Sequence, residues 1–394
     1  MHKETLTPPD LIIRNVRVVT PDAVLPSTAV VVSQGIICDI ATSPVSIHGS
    51  IDIEGENNLL LPGFIDIHSD VIENAIQPRP GGQFPIDIAL HELDKQLVAC
   101  GVATIFHCLC FLDNDEKPAF RNAEMTDFLV HHLHHQRADF RSRTHVHARY
   151  EISNAEGFVH VERLINERLI HFFSLMDHTP GQGQFSDLHH FRAYYAKARG
   201  LSAEHVDRLI EQRLEASGRI DWEGIAHLTR ICQENNIQVA SHDDDSPDKV
   251  AAVSRLGATI SEFPVNLEAA QAARRHGMFI SLGSPNVLRG ASLTDNLSGQ
   301  EAIKAELGDI LCSDYAPMSL LHAALKLYRE DILGLPQAIR MISLNAARAA
   351  GIDNLTGSIE IGKSADMVMV DDRTGVADVL RTFVEGREVY TAGH

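Results

Sequence analysis

The chain has 394 residues, 44% of them hydrophobic and 22% charged, which suits a large-cored globular protein and excludes disordered and fibrous classes. The formal net charge of −19 argues against a nucleic-acid surface, and no run approaches the roughly 20 apolar residues that span a bilayer. The opening residues, Met1 to Asp10, lack the basic and apolar segments of a signal peptide, so the cytoplasm is the expected compartment. The six scattered cysteines form no Cys-x-x-Cys and are expected to be reduced.

The first elements in the chain are β-branched runs separated by Pro, Ser and Gly: Leu11 to Thr20, Thr28 to Ser33 and Gly35 to Ile40. The last forty residues match them in kind, with Ala365 to Asp371 and Val379 to Tyr390, the latter turning at Glu385-Gly386. Because the termini of a domain commonly lie together, residues 1–61 and 355–394 are expected to form one small β-sandwich-like domain. Between them, residues 62–354 alternate apolar strands with amphipathic helical stretches. The strand candidates are Phe64 to Asp70, Thr104 to Cys110, His145 to Glu151, Phe172 to His178, Gln238 to Asp243, Thr259 to Val265, Phe279 to Pro285 and Ile310 to Tyr315. Eight such alternations, without a Gly-x-Gly-x-x-Gly turn or a Walker lysine, predict an α/β fold of the (β/α)8 barrel type. Helices are expected over Phe84 to Gly101 and Gln300 to Leu307. The long connector from Asp187 to Gln233 reads as two helices parted near Ser217-Gly218, with Glu211, Arg213 and Glu215 as exposed charge.

The barrel gives the polar residues a common address, since active sites of such barrels sit at the C-terminal ends of the strands. His68 and Asp70 share a face at the end of the first strand. Glu151 closes the third strand, His178 the fourth, His242 the fifth and Asp314 the eighth. Imidazoles and carboxylates together suit Zn, Mn or Fe, as one ion or as a two-metal centre. Asp314 is read both as a site ligand and as a proton acceptor. Glu151 also shares its face with Arg149 and could pair with it. Glu73 either reaches the site or caps the first loop, and Asp243 to Asp245 either tune the metal or start a helix.

These residues resemble the amidohydrolase superfamily, whose barrel carries histidines on its first and later strands and an aspartate on the eighth. The likeness runs over nearly the whole chain and includes the run from Gly357 to Val368, with which members re-enter the small sheet. It departs in having Asp70 for the usual second histidine and no carboxylated lysine, which makes Glu151 the implied bridging acid. Five segments, His68 to Gly81, Met176 to Phe185, Ser241 to Asp245, Gly283 to Gly290 and Ser313 to Pro317, narrow the resemblance. They are similar to the triphosphate diphosphatases of the carbon-phosphorus lyase pathway. That resemblance implies metal-dependent hydrolysis of alpha-D-ribose 1-methylphosphonate 5-triphosphate to the 5-phosphate and diphosphate. The partner is then a small phosphorylated ribose phosphonate, with no nucleic acid and no membrane. Arg79 and Arg289 would clamp phosphate or phosphonate oxygens, with Asn286 as a neutral donor beside Arg289. The chain's acidity requires such local cations. The alternatives are an amidohydrolase acting on a C–N bond and a noncatalytic barrel serving as a scaffold. Barrels often pair through outer helices, which makes a homodimer the default assembly. The cluster His131 to His135 falls between barrel strands and reads as an outer helix face, and Gly181 to Gln184 as a loop passing the barrel mouth.

Overall fold

The computed structural model describes residues 10–42, 45–46, 48–79, 81–112, 122–185, 188–199, 201–292 and 296–393. Met1 to Pro9, on which the leader reading rests, together with Pro80 and Asp187, lie outside the described residues. Two compact units are distinguished. One comprises the chain up to His107 with Gln136–His145 and the residues from Ile310 onward; the other comprises Cys108–His135 and Val146–Asp309.

In the first unit the two termini build a single mixed sheet. Its strands are β1 (Leu11–Val19), β2 (Val24–Ser33), β3 (Ile36–Ala41), β4 (Ile51–Glu54) and β5 (Leu59–Pro62), joined by three strands from the C-terminal region. Leu11, Ile13, Val16 and Val18 of β1 enter one core, although strict alternation would break between Ile13 and Val16. Asn15 resolves this: it takes φ +49 and inserts a bulge that shifts the register, returning the next pair of valines to the same face. Gln34 and Gly35, with φ of +52 and +80, make the hairpin turn between β2 and β3.

The barrel strands follow as β6 (Phe64–Ser69), β7 (Val102–Phe111), β8 (Arg143–Glu151), β9 (Phe172–Met176), β10 (Gln238–His242), β11 (Ile260–Glu262), β12 (Phe279–Gly283) and β13 (Ile310–Cys312). They are hydrogen-bonded in sequence order, and a parallel bridge between Ser69 and Asp314 brings the end of β6 to the residue just beyond β13. The result is a nearly closed eight-stranded (β/α)8 barrel. Every residue of β6 and β7 is buried, as expected of parallel strands covered on both faces. The entry to β7 requires Gly101, whose φ of +85 turns the chain where a Cβ would lie 2.5 Å from the Phe64 ring. After the barrel, β14 (Met367–Asp371), β15 (Asp378–Val384) and β16 (Arg387–Thr391) complete the mixed sheet in the order β16-β15-β14-β5-β1-β2-β3, with β4 paired to β1. The turn at Glu385-Gly386 is present, with φ of +52 and +71. Buried Asp366 fastens the returning chain by accepting hydrogen bonds from Arg143 Nη1, Thr356 Oγ1 and Glu385 N.

Three departures from the sequence reading concern helices. The connector before β10 holds three, Leu188–Arg199, Ala203–Ser217 and Trp222–Glu234, because Ser202 caps a new start in addition to the break at Ser217-Gly218. Arg213 is not exposed charge: it is half-buried, its guanidinium 5.5 and 5.2 Å from the ring centres of Phe191 and Tyr195. The seventh strand stops at Gly283, and Arg289 lies in the last turn of a short helix, Ser284–Arg289, with Pro285 in its first turn. The other two expected helices appear as Ile86–Ala99 and Gly299–Lys304. Among the described residues no helix is long and apolar enough to cross a membrane, and none of the six cysteines forms a disulfide.

Candidate functional site

In the first unit, ligand atoms of His68, Asp70 and Asp314 lie within 4.8 Å of one another. The backbone enforces this closeness, since Asp314 N donates to His68 O at 3.0 Å and Asp70 N donates to Asp314 O at 2.5 Å. Asp314 takes φ +57, a conformation that aspartate tolerates better than most residues and that is found at functional sites. His68 is buried, and beneath it Asp66 accepts from Ser313 N at 3.0 Å. Burial pushes the Asp66 carboxyl up to about 6, against the opposing pull of Ser313 and His68. Glu73 stands half-buried in the first turn of a helix, Val71–Ile76, that begins just after Asp70.

In the second unit, His178, His242 and Asp243 also bring ligand atoms within 4.8 Å of one another. Each imidazole has a carboxylate beside it, and that of His178 is hydrogen-bonded to it. His178 Nδ1 donates to Glu151 Oε2 at 2.6 Å, and His178 N donates to Glu151 Oε1 at 3.1 Å. His242 Nδ1 lies 3.0 Å from Asp243 Oδ2. Burial raises the Asp243 carboxyl, but His242, His178 and Lys249 outweigh it and hold the group below the usual carboxylate value. Arg149, buried in β8, places Nη2 3.0 Å from His242 Nε2. A guanidinium is always a donor, so Nε2 accepts and carries a lone pair, leaving the ring proton at Nδ1 against Asp243. An imidazole held at Nδ1 by a carboxylate, as His178 is, with Nε2 as the remaining donor atom, is the arrangement in which proteins offer histidine to a metal. The donor set therefore fits a divalent ion of the Zn, Mn or Fe class.

Glu151 meets His178, and Arg149, on the same face, meets His242. Both Glu151 oxygens engage His178, and each keeps a second lone pair. The Asp243 to Asp245 run divides its tasks. Asp244 accepts from Ser241 Oγ and Ser261 Oγ, Asp245 accepts from Gly183 N at 2.7 Å, and the helix that follows is capped by Ser246 instead. Lys249 donates to the carbonyls of His242 and Asp243, holding that turn in place. Asn286 bonds along the backbone, accepting from Gly299 N at 2.8 Å and donating to Leu297 O at 3.2 Å. Arg79 and Arg289 are both exposed. Two features escaped the sequence reading. Arg213 Nη1 donates to His178 O at 3.4 Å, tying the helical pair after β9 to the loop that carries His178. Fully buried His147, Ser174 and Glu262 form a chain in which Ser174 Oγ meets His147 Nε2 at 2.6 Å and donates to Glu262 Oε2 at 2.7 Å. Glu262 ends β11 but lies inside the expected strand, Thr259 to Val265, where an acid within a short apolar run was the available signal.

The family model described as "Amidohydrolase family" matches residues 126–389. The alpha-D-ribose 1-methylphosphonate 5-triphosphate diphosphatase of Escherichia coli (strain K12) is 31% identical over 383 residues, covering 96% of this chain and all of the relative. Among solved structures, a prolidase complexed with n-methylphosphonate-l-proline superposes with a TM-score of 0.66 at 16% identity, over 97% of this chain and all of the other. A. niger ochratoxinase superposes with a TM-score of 0.65 at 13% identity, over 98% of this chain and 96% of the other. With a family match over more than half its length and a relative 31% identical from end to end, the chain belongs to the amidohydrolase family.

Proposed function

We propose that this protein is a metal-dependent diphosphatase that hydrolyses alpha-D-ribose 1-methylphosphonate 5-triphosphate to the 5-phosphate and diphosphate. The observation that carries this reading is the end-to-end relation to the Escherichia coli enzyme of that name. The two clusters of imidazoles and carboxylates support it. His68, Asp70 and Asp314 in the first unit, and His178 and His242 in the second, are the residues that would hold one or two divalent ions. Glu151 joins them as a bridging acid or serves by orienting His178. Bound there, a divalent ion polarises a phosphoryl oxygen and makes water acidic enough to attack near neutral pH.

Asp314 takes the proton of the attacking water. The new oxygen–phosphorus bond forms as the anhydride link between the first and second phosphoryl groups breaks, and diphosphate leaves with the bonding electron pair. Arg79 and Arg289, as long exposed arms, reach the outer phosphate or phosphonate oxygens. Asn286 keeps the Arg289 helix against residues 297–299. Phosphorus NMR of the products made by metal-loaded protein tests the reading. Diphosphate with a ribose 5-monophosphate is expected. Release of orthophosphate alone, or of ammonia or an amine from C–N substrates with the triphosphate untouched, would overturn it.

A further inference from the structure

We propose that Arg149 binds the phosphoryl oxygens of the substrate at the His178–His242 cluster, as the buried cation of a polyanion site. This rests on the diphosphatase reading and deepens it. Arg149 sits on β8 two residues before Glu151, on the same face, and is only 6% exposed. Placing a permanent cation this deep is costly unless it meets compensating partners. The structure aims it at a catalytic candidate, with Nη2 at 3.0 Å from the lone pair of His242 Nε2. A lone pair serves one partner. When His242 gives Nε2 to an ion, the Arg149 N–H is released to another acceptor beside the same imidazole, and a phosphoryl oxygen is the acceptor that the reaction brings there.

Charge makes the same argument. A triphosphate approaches a chain of net charge −19 and a cluster that already holds Asp243 and Glu151, so a nearby cation is required. Lys249 and Arg213 also stand beside this cluster, but both serve its backbone carbonyls, Lys249 those of His242 and Asp243 and Arg213 that of His178. Arg79 and Arg289 are exposed, whereas Arg149 is buried on a barrel strand. A preorganised guanidinium in a dry setting is the type of group that stabilises charge moving onto a leaving diphosphate, and its fork suits two phosphoryl oxygens at once.

The test compares wild type, Arg149→Lys and Arg149→Met, each loaded with metal and assayed for metal content. Inorganic diphosphate is titrated calorimetrically, and diphosphate release from the triphosphate is followed in parallel. Arg149→Met is expected to weaken diphosphate binding by roughly 10- to 100-fold, the range of a lost charge-assisted hydrogen bond, with metal content unchanged. Arg149→Lys keeps the charge but not the fork, and should recover part of that affinity. It also decides the matter if Arg149→Met fails to fold, through an expected loss of about 10-fold. The proposal is overturned by variants that bind diphosphate as tightly as wild type, by weakening that only parallels lost metal, or by wild type that does not bind diphosphate. Wild type that binds diphosphate through Arg149 yet does not release it from the triphosphate would instead remove the diphosphatase reading and leave the anion site standing.

Discussion

His107 provides a test of the barrel interior that needs no substrate. It lies in β7, 4% exposed, and its Nδ1 has no hydrogen-bond partner among the described residues. Burial lowers its pKa from 6.5 to about 4, with Asp94 opposing only in part, so the folded protein holds it neutral where an unfolded chain would protonate it. Between those values the unfolded state binds more protons, and stability must therefore fall as pH drops from 6.5 towards 4. A displacement of that size corresponds to about 3 kcal/mol by pH 4, at ~1.4 kcal/mol per unit. Replacing His107 with Gln removes the titrating group while keeping a neutral polar side chain of similar reach. The assay is urea unfolding at a series of pH values from 7 to 4, on protein stripped of metal so that loss of ions does not enter. Wild type should lose about 3 kcal/mol more than His107→Gln over this window. Parallel curves would refute the reasoning, because they would mean that His107 is hydrated or already charged in the fold.

The remaining predictions concern the site. Asp314→Asn is expected to keep most of the metal and lose roughly 100-fold or more in kcat; full activity in metal-replete protein would rule out its proton-accepting role, and loss of all metal would make it an indispensable ligand. Glu151→Gln and Asp243→Asn should each weaken metal affinity by about 10-fold in chelator competition, because the first frees His178 from its orienting carboxylate and the second removes the negative charge beside His242. Complete loss of metal in Glu151→Gln would instead place Glu151 among the ligands. Arg213→Ala removes two ring contacts worth about 1 kcal/mol each and the bond to His178 O. Amide exchange over residues 188–217 should accelerate by roughly 10-fold with little change in the unfolding midpoint, and unaltered protection there would refute the latch.

The alternation of strand and helix was legible without coordinates because buried parallel strands read as short apolar runs and helices as 3.6-residue periodicity, both local properties. The same locality marked His68, Asp70, Glu151, His178, His242 and Asp314, each a polar residue at or within a few positions of a strand's end, and the turn at Glu385-Gly386. Strand ends were read a few residues long: β9 stops at Met176 and β11 at Glu262, where Phe263 turns away with φ +55. Choice of partner was decided only by the tertiary structure. A two-residue period places Arg149 and Glu151 on one face, yet it carries no information on what crosses to meet that face. Arg149 turns to His242, 93 residues away, and Glu151 to His178, 27 residues away. The packing of Arg213 between Phe191 and Tyr195 and the burial of Glu262 against Ser174 are likewise invisible to periodicity. A sequence pattern fixes the direction in which a side chain leaves its own element, while its charge state, exposure and partner depend on elements brought alongside by the closing of the barrel.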